Sequence, residues 1–194
     1  EGDNVVVSYV EHHSNLVPWQ LLCRRKGAQM RFIPVGDDGT LMIDSLEKLV
    51  DDKTKIVAVT QVSNVLGVVN PVREVITFCH NRGVPVLVDG IVHCGVDVQE
   101  MDCDFYVFSG HKIYAATGTG VLYGKKKFLE AMPPFLSGGE MVGTVTLEDT
   151  TFAPLPMKFE AGTQNFIGQA TFKPALEVVK ELTDSDIKKY GNEV

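Results

Sequence analysis

The sequence predicts a three-layer α/β/α domain built on a mostly parallel sheet, and three observations carry that expectation. Short β-branched runs alternate with amphipathic stretches, turn residues punctuate them, and the apolar runs are short enough for buried strands. Val5-Val6-Val7-Ser8-Tyr9 reads as a strand, Pro18 to Lys26 as a helix, Gln29 to Pro34 as a strand and Lys55 to Thr60 as another. Between the last two, Asp44-Ser45-Leu46-Glu47 has the form of a capping box that would open a helix, Asp44 on the first free amides and Glu47 reaching back. Pro71 suits a first helical turn, and Gly83 offers the left-handed residue that ends this helix before the apolar strand Val84 to Val88. Phe105 to Phe108 and Thr119 to Tyr123 complete the strands, while residues 133–169, richer in Gly, Pro and Thr, read as loop with short strands. No repeat or linker divides the 194 residues, so a single domain is expected, with its ligand site outside the carboxyl ends of the strands.

Composition narrows the function. Lys and Arg number 18 against 25 Asp and Glu, a net charge of −7 that disfavours a nucleic-acid binder. Apolar stretches of five or six residues fall far short of the ~20 a membrane span needs, and the first residues lack a signal-peptide pattern, so a cytoplasmic protein is expected. Cys23, Cys79, Cys94 and Cys103 form no Cys-x-x-Cys pair and are expected as free thiols. The five histidines match no metal-ligand spacing, and no metal site is expected.

Two residues suggest chemistry. Asp89 follows the strand Val84 to Val88 and precedes Gly90, which presents a carboxylate at a strand's carboxyl end. Lys112, in Ser109-Gly110-His111-Lys112 after another strand, is a lysine that partial desolvation and a neighbouring cationic side chain can adapt to Schiff-base chemistry. Each has a plain alternative, a turn former and a solvated charge. Together they are the acid and amine that pyridoxal 5′-phosphate (PLP) requires: one partners the pyridine nitrogen, the other binds the aldehyde. The polar groups of Glu11 to Asn15, Ser63-Asn64, Ser109 and His111 are eligible to hold the rest of such a cofactor.

The blocks Glu11-His12-His13-Ser14-Asn15-Leu16-Val17-Pro18-Trp19, Val62 to Gly67, Val86 to Gly90, Asp102 to Lys112 and Phe159-Glu160-Ala161-Gly162-Thr163 occur in an order that resembles the SufS-type (group II) cysteine desulfurases. These are class V aminotransferase-like PLP enzymes of fold type I, and the resemblance runs over essentially the whole chain. It implies that Lys112 binds the cofactor aldehyde, Asp89 pairs with the pyridinium nitrogen and His12 stacks on the ring. It places Asn64 near the phenolate and the substrate carboxylate, and Ser109 and His111 on the phosphate. Thr163 would reach the phosphate in the neighbouring subunit of a homodimer. It further implies L-cysteine as substrate, alanine and an enzyme-bound persulfide as products, iron–sulfur cluster assembly as the destination of the sulfur, and a SufE- or SufU-like acceptor. Selenocysteine lyase of the same fold, or a non-catalytic fragment or scaffold, is the alternative.

The chain departs from the family pattern at several points. After Asp89-Gly90 the family's Ala-Gln is replaced by Ile91-Val92-His93, and about three residues are expected to be missing there. Ala115-Ala116 stands where Gly-Pro is common. None of the four cysteines lies in the family's catalytic context, and the carboxylate-binding arginine has no counterpart. The 194 residues are therefore expected to be the cofactor-binding large domain, incomplete at both ends and inactive alone.

Overall fold

The computed structural model describes residues 2–90 and 96–184. Fifteen named elements follow in chain order: β1 (Asn4–Ser8), α1 (Val17–Lys26), β2 (Gln29–Ile33), α2 (Leu46–Leu49), β3 (Thr54–Thr60), α3 (Val72–His80), β4 (Val86–Asp89), α4 (Val98–Met101), β5 (Phe105–Ser109), β6 (Gly120–Gly124), α5 (Lys126–Ala131), β7 (Val142–Val145), β8 (Thr150–Phe152), α6 (Phe166–Ala170) and α7 (Phe172–Asp184). Six strands form one sheet in the order β2-β1-β3-β4-β5-β6, and β7 and β8 form a separate antiparallel pair. The first five strands of the large sheet run parallel, and β6 joins antiparallel to β5. The expected mostly parallel sheet is therefore present.

Register divides the side chains between two faces, since residues paired across parallel strands point the same way. Val6, Val57, Val59, Val86, Val88 and Tyr106 share the larger core with Val72, Val75, Ile76 and Cys79 of α3 and with Met101 and Cys103. Val5, Val7, Ala58 and Leu87 face the other way, against Trp19 and Cys23 of α1. Strands covered on both faces read as continuous apolar runs, and β1 and β4 do so here. Gly27 closes α1 with φ of 64°, and Gly83 takes the expected left-handed conformation (φ 70°) before β4.

Asp44 does not cap a helix. It lies inside a 3₁₀ turn, Ile43–Ser45, and α2 begins only at Leu46 with no side-chain cap. Glu47 does not reach back either, because its carboxylate pairs with the Arg82 guanidinium at 2.7 Å. The expected deletion after Gly90 falls at residues outside the described ones, as do His93 and Cys94.

The amino ends of β4 and β5 are joined by a charged cluster. Asp104, almost fully buried, accepts the Val86 amide at 2.8 Å, and the same oxygen meets His80 Nε2 at 2.8 Å. Its second oxygen lies 3.2 Å from Lys125 Nζ, which also holds Asp102 at 2.6 Å. Asp102 carries these contacts with a left-handed φ of 59° and its carboxyl held below the usual range, first of all by Lys125. Among the described residues no helix is long and apolar enough to cross a membrane.

Candidate active site

Strand order reverses between β1 and β3: the chain leaves β1 through α1 toward β2 on one side, then returns to lay β3 on the other. The loops leaving these two strands part company there, and an open α/β sheet binds its ligands in the resulting crevice. Asp89 ends β4 beside Thr60 of β3, and Ser109 ends β5, so the carboxyl ends of four neighbouring strands meet at this rim.

Asp89 is 1% exposed. With Ser109 it lines a cleft of about 370 Å³ whose other walls include Asn15, Pro18, Trp19 and Phe108. Gly90 follows Asp89 and donates to the Val107 carbonyl at 2.9 Å, which continues the strand contact past the carboxylate. The Tyr106 ring occupies the place a side chain at residue 90 would take, and its hydroxyl donates to Gln61 Oε1 at 2.8 Å. Only glycine fits after this aspartate.

His12 lies on the loop after β1. It is the N-cap of the 3₁₀ turn His13–Asn15, where Nδ1 accepts the Ser14 amide at 3.2 Å and sits 2.8 Å from the Ser14 hydroxyl. An accepting Nδ1 leaves the proton of the neutral ring on Nε2. Asn64 is exposed on the loop leaving β3, where Ser63 Oγ accepts the amides of Val65 and Leu66.

The lysine sits in the 3₁₀ turn Gly110–Ile113 that directly follows β5. Gly110 fixes this turn by donating to the Thr119 carbonyl at 2.8 Å, and a Cβ there would overlap the Thr119 hydroxyl. His111 and Lys112 are both exposed, which differs from the partial desolvation expected of Lys112. The turn presents them outward because Gly110 and Ile113 are its two buried residues. Among the described residues no carboxylate pairs with the Lys112 amine. Thr163 is not brought to the cleft; it is exposed on a separate loop that Gly162 ties to the Gly139 carbonyl at 3.0 Å.

No motif assigned Glu11 a specific role, yet it lies at the centre of the rim. Its carboxylate, 9% exposed, receives the Thr60 amide at 2.9 Å, the Asn15 amide group at 2.7 Å and the Ser8 hydroxyl. Asn15 in turn accepts from Trp19 Nε1 at 3.0 Å. Burial pushes the Glu11 carboxyl up to about 7; the three donors oppose the shift, and the nearby Asp89 adds to it. The spacing Glu11, Asn15, Trp19 is a legible signal for such a chain once the first turn of α1 is known.

This set fits PLP. A buried carboxylate at a strand end suits a protonated pyridine nitrogen, apolar walls suit a flat ring, and the Ser109 hydroxyl lines the same cleft, while the His111 imidazole and the Lys112 amine lie on the turn that follows Ser109, outside the cleft's described lining. Buried thiols do not contribute. Burial raises all three described cysteines, Cys79 to about 12 and Cys103 to about 11, so each stays a thiol.

Comparison with known proteins agrees with the fold. The Aminotransferase class-V family matches residues 1–194, and the chain belongs to that family. It is 52% identical over 193 residues to proteins named cysteine desulfurase from Enterobacter sp. (strain 638) and Shigella sonnei, covering 97% of this chain and 48% of each relative. It thus spans about half the length of the curated relatives it matches. The crystal structure of the cysteine desulfurase CsdA (S-sulfonic acid) from Escherichia coli superposes with a TM-score of 0.89 at 44% identity, over 96% of this chain and 47% of that one. A C-DES mutant with glycine covalently linked to its PLP cofactor superposes at 0.80 with 25% identity, over 93% and 50% of the two chains.

Proposed function

We propose that these residues form the cofactor-binding large domain of a longer PLP-dependent cysteine desulfurase. The carbon–sulfur bond of L-cysteine is broken, L-alanine leaves, and the sulfur passes to a cysteine thiol as a persulfide. The observation that carries this reading is the convergence of Asp89, Ser109 and the Lys112 turn at one rim, in a chain 52% identical to proteins of that name.

When bound, PLP supplies an aldehyde for the substrate amine and a ring that withdraws electrons from the carbon next to it. The rest belongs to the protein. Asp89, held out of water, keeps a proton on the ring nitrogen, because a buried carboxylate beside a cation gains more from the ion pair than it would in solvent. Lys112 would hold the aldehyde through its amine, and its Nζ would be placed to carry a proton while substrate is bound. His12 covers the ring, Asn64 orients the phenolate and the substrate carboxylate, and Ser109 and His111 hold the phosphate. The attacking thiol belongs to a cysteine other than Cys23, Cys79 and Cys103, whose burial keeps them protonated. In a homodimer Thr163 contributes to the phosphate site of the other subunit, which accounts for an exposed threonine away from its own cleft. A SufE- or SufU-like protein takes the sulfur onward to iron–sulfur cluster assembly in the cytoplasm.

The test is to assay the full-length protein with PLP, L-cysteine and a reducing agent for alanine and sulfide in equal amounts. Equimolar products support the reading. Absence of turnover with L-cysteine but turnover with L-selenocysteine would replace it with the lyase, and no turnover with either would leave a binding scaffold.

A further inference from the structure

We propose that Glu11 is a positioning residue of the cofactor site, locking the loop that carries His12 to the end of β3. The inference rests on the function proposed above, and every residue of its geometry lies in this chain. Three donors from three places converge on one buried carboxylate: Ser8 at the end of β1, the Thr60 amide at the end of β3, and Asn15 in the turn that His12 opens. β1 and β3 are neighbours in the sheet, but the loops leaving them diverge at the switch point, so no strand hydrogen bond continues across this gap. The Glu11 side chain bridges it.

The bridge is directional. Asn15 must donate to Glu11 because its oxygen is taken by the Trp19 indole N–H, which can only donate. Replacing Glu11 with Gln cannot reproduce this. If the new oxygen faces Thr60, the new NH₂ faces the Asn15 NH₂; if Asn15 flips to relieve that, its NH₂ faces the Trp19 N–H. One buried donor is left without an acceptor in either arrangement. Asp is too short to span the gap from the same backbone position. The ionised carboxylate is matched by donors alone, and Asp89 is the neighbouring charge that opposes ionisation.

The experiment uses the full-length protein, prepared without PLP, and hydrogen–deuterium exchange read by peptide mass. In Glu11→Gln the amides from Tyr9 to Trp19 and at Thr60 are expected to exchange at least tenfold faster, while those of Val72 to His80 stay as in the wild type. PLP titrated into the same variant is expected to bind at least tenfold more weakly, with a reduced visible circular dichroism band. The double variant Glu11→Gln with Trp19→Phe frees Asn15 to turn its oxygen toward the new NH₂, and should return exchange toward the wild-type rate. A role limited to filling space predicts no such rescue. Unchanged exchange in a folded Glu11→Gln protein, or a double variant no closer to wild type than the single one, overturns the proposal. If Glu11→Gln does not fold, Asn15→Ala, which leaves the bond to Thr60, must show the same loosening of Tyr9 to Trp19, and unchanged exchange there overturns it equally. Since exchange is read without cofactor, it decides this inference even where a failure of the wild type to take up PLP would overturn the proposed function.

Discussion

The ring of Tyr106 lies where any side chain at residue 90 would have to project, so the residue after Asp89 is held to glycine by a neighbour on the next strand. Gly90→Ala is predicted to push the ring off the Gln61 oxygen it bonds and to destabilise the fold by about 1–3 kcal/mol, the usual cost of overpacking. Denaturant unfolding of the variant measures this. Adding Tyr106→Ala in the same chain should relieve the overlap, and a double variant no more stable than the sum of its parts would argue against the contact.

Stability should depend on pH through Glu11. Its native value of about 7 lies above the 4.5 of an unperturbed Glu, so the folded state keeps its proton to higher pH than the unfolded chain. The associated stabilisation is full below pH 4.5 and is lost as pH rises through about 7. That shift corresponds to about 3 kcal/mol by linkage. The advantage in melting temperature of wild type over Glu11→Gln should therefore shrink as pH rises from 4.5 to 8. A constant difference across the range would contradict it.

Asp104→Ala is predicted to cost about 3 kcal/mol, since it leaves the Val86 amide without an acceptor and strips a buried carboxylate from His80 and Lys125. Asp104→Asn, which can keep the Val86 bond, should lose less. Equal losses would mean that the charge, not the backbone bond, carries the effect.

For Lys112 and Asp89 the expected outcomes differ. Borohydride reduction of the PLP-loaded full-length protein should fix the pyridoxyl group on the peptide containing Lys112, and Lys112→Ala should remove the visible Schiff-base band. A label on Lys125, Lys126 or Lys127 would refute the assignment. Asp89→Asn should retain most cofactor binding while lowering turnover by two or more orders of magnitude, about 3 kcal/mol in the barrier.

Much of this was legible from the sequence because it depends on local pattern. The apolar runs of β1 and β4 must be buried on both faces, and Gly83 stops its helix for a reason contained in its own backbone. The places of Asp89 and Lys112 after strands were legible because an apolar run precedes each. What escaped was set by partners distant in sequence. Asp44 and Glu47 have the spacing of a capping box, but Arg82, thirty-five residues beyond Glu47, draws that carboxylate away. Glu11 owes its role to Thr60, forty-nine residues on, and to a backbone amide whose direction no residue type reveals. The exposure of Lys112 likewise follows from which way a four-residue turn faces.

The sheet's two rims are unequal. At the amino ends of β4 and β5, Asp104 is committed on both oxygens to Val86, His80 and Lys125, and nothing there can change without loosening the foundation. At the carboxyl ends the strands finish in loops whose tips, at His12, Asn64 and His111, carry little of the core. Variation is thereby channelled to the loop tips, which can be rewritten while Glu11, Asp89 and Gly90 beneath them, and Asp104 at the opposite rim, act as the keel that keeps the scaffold upright.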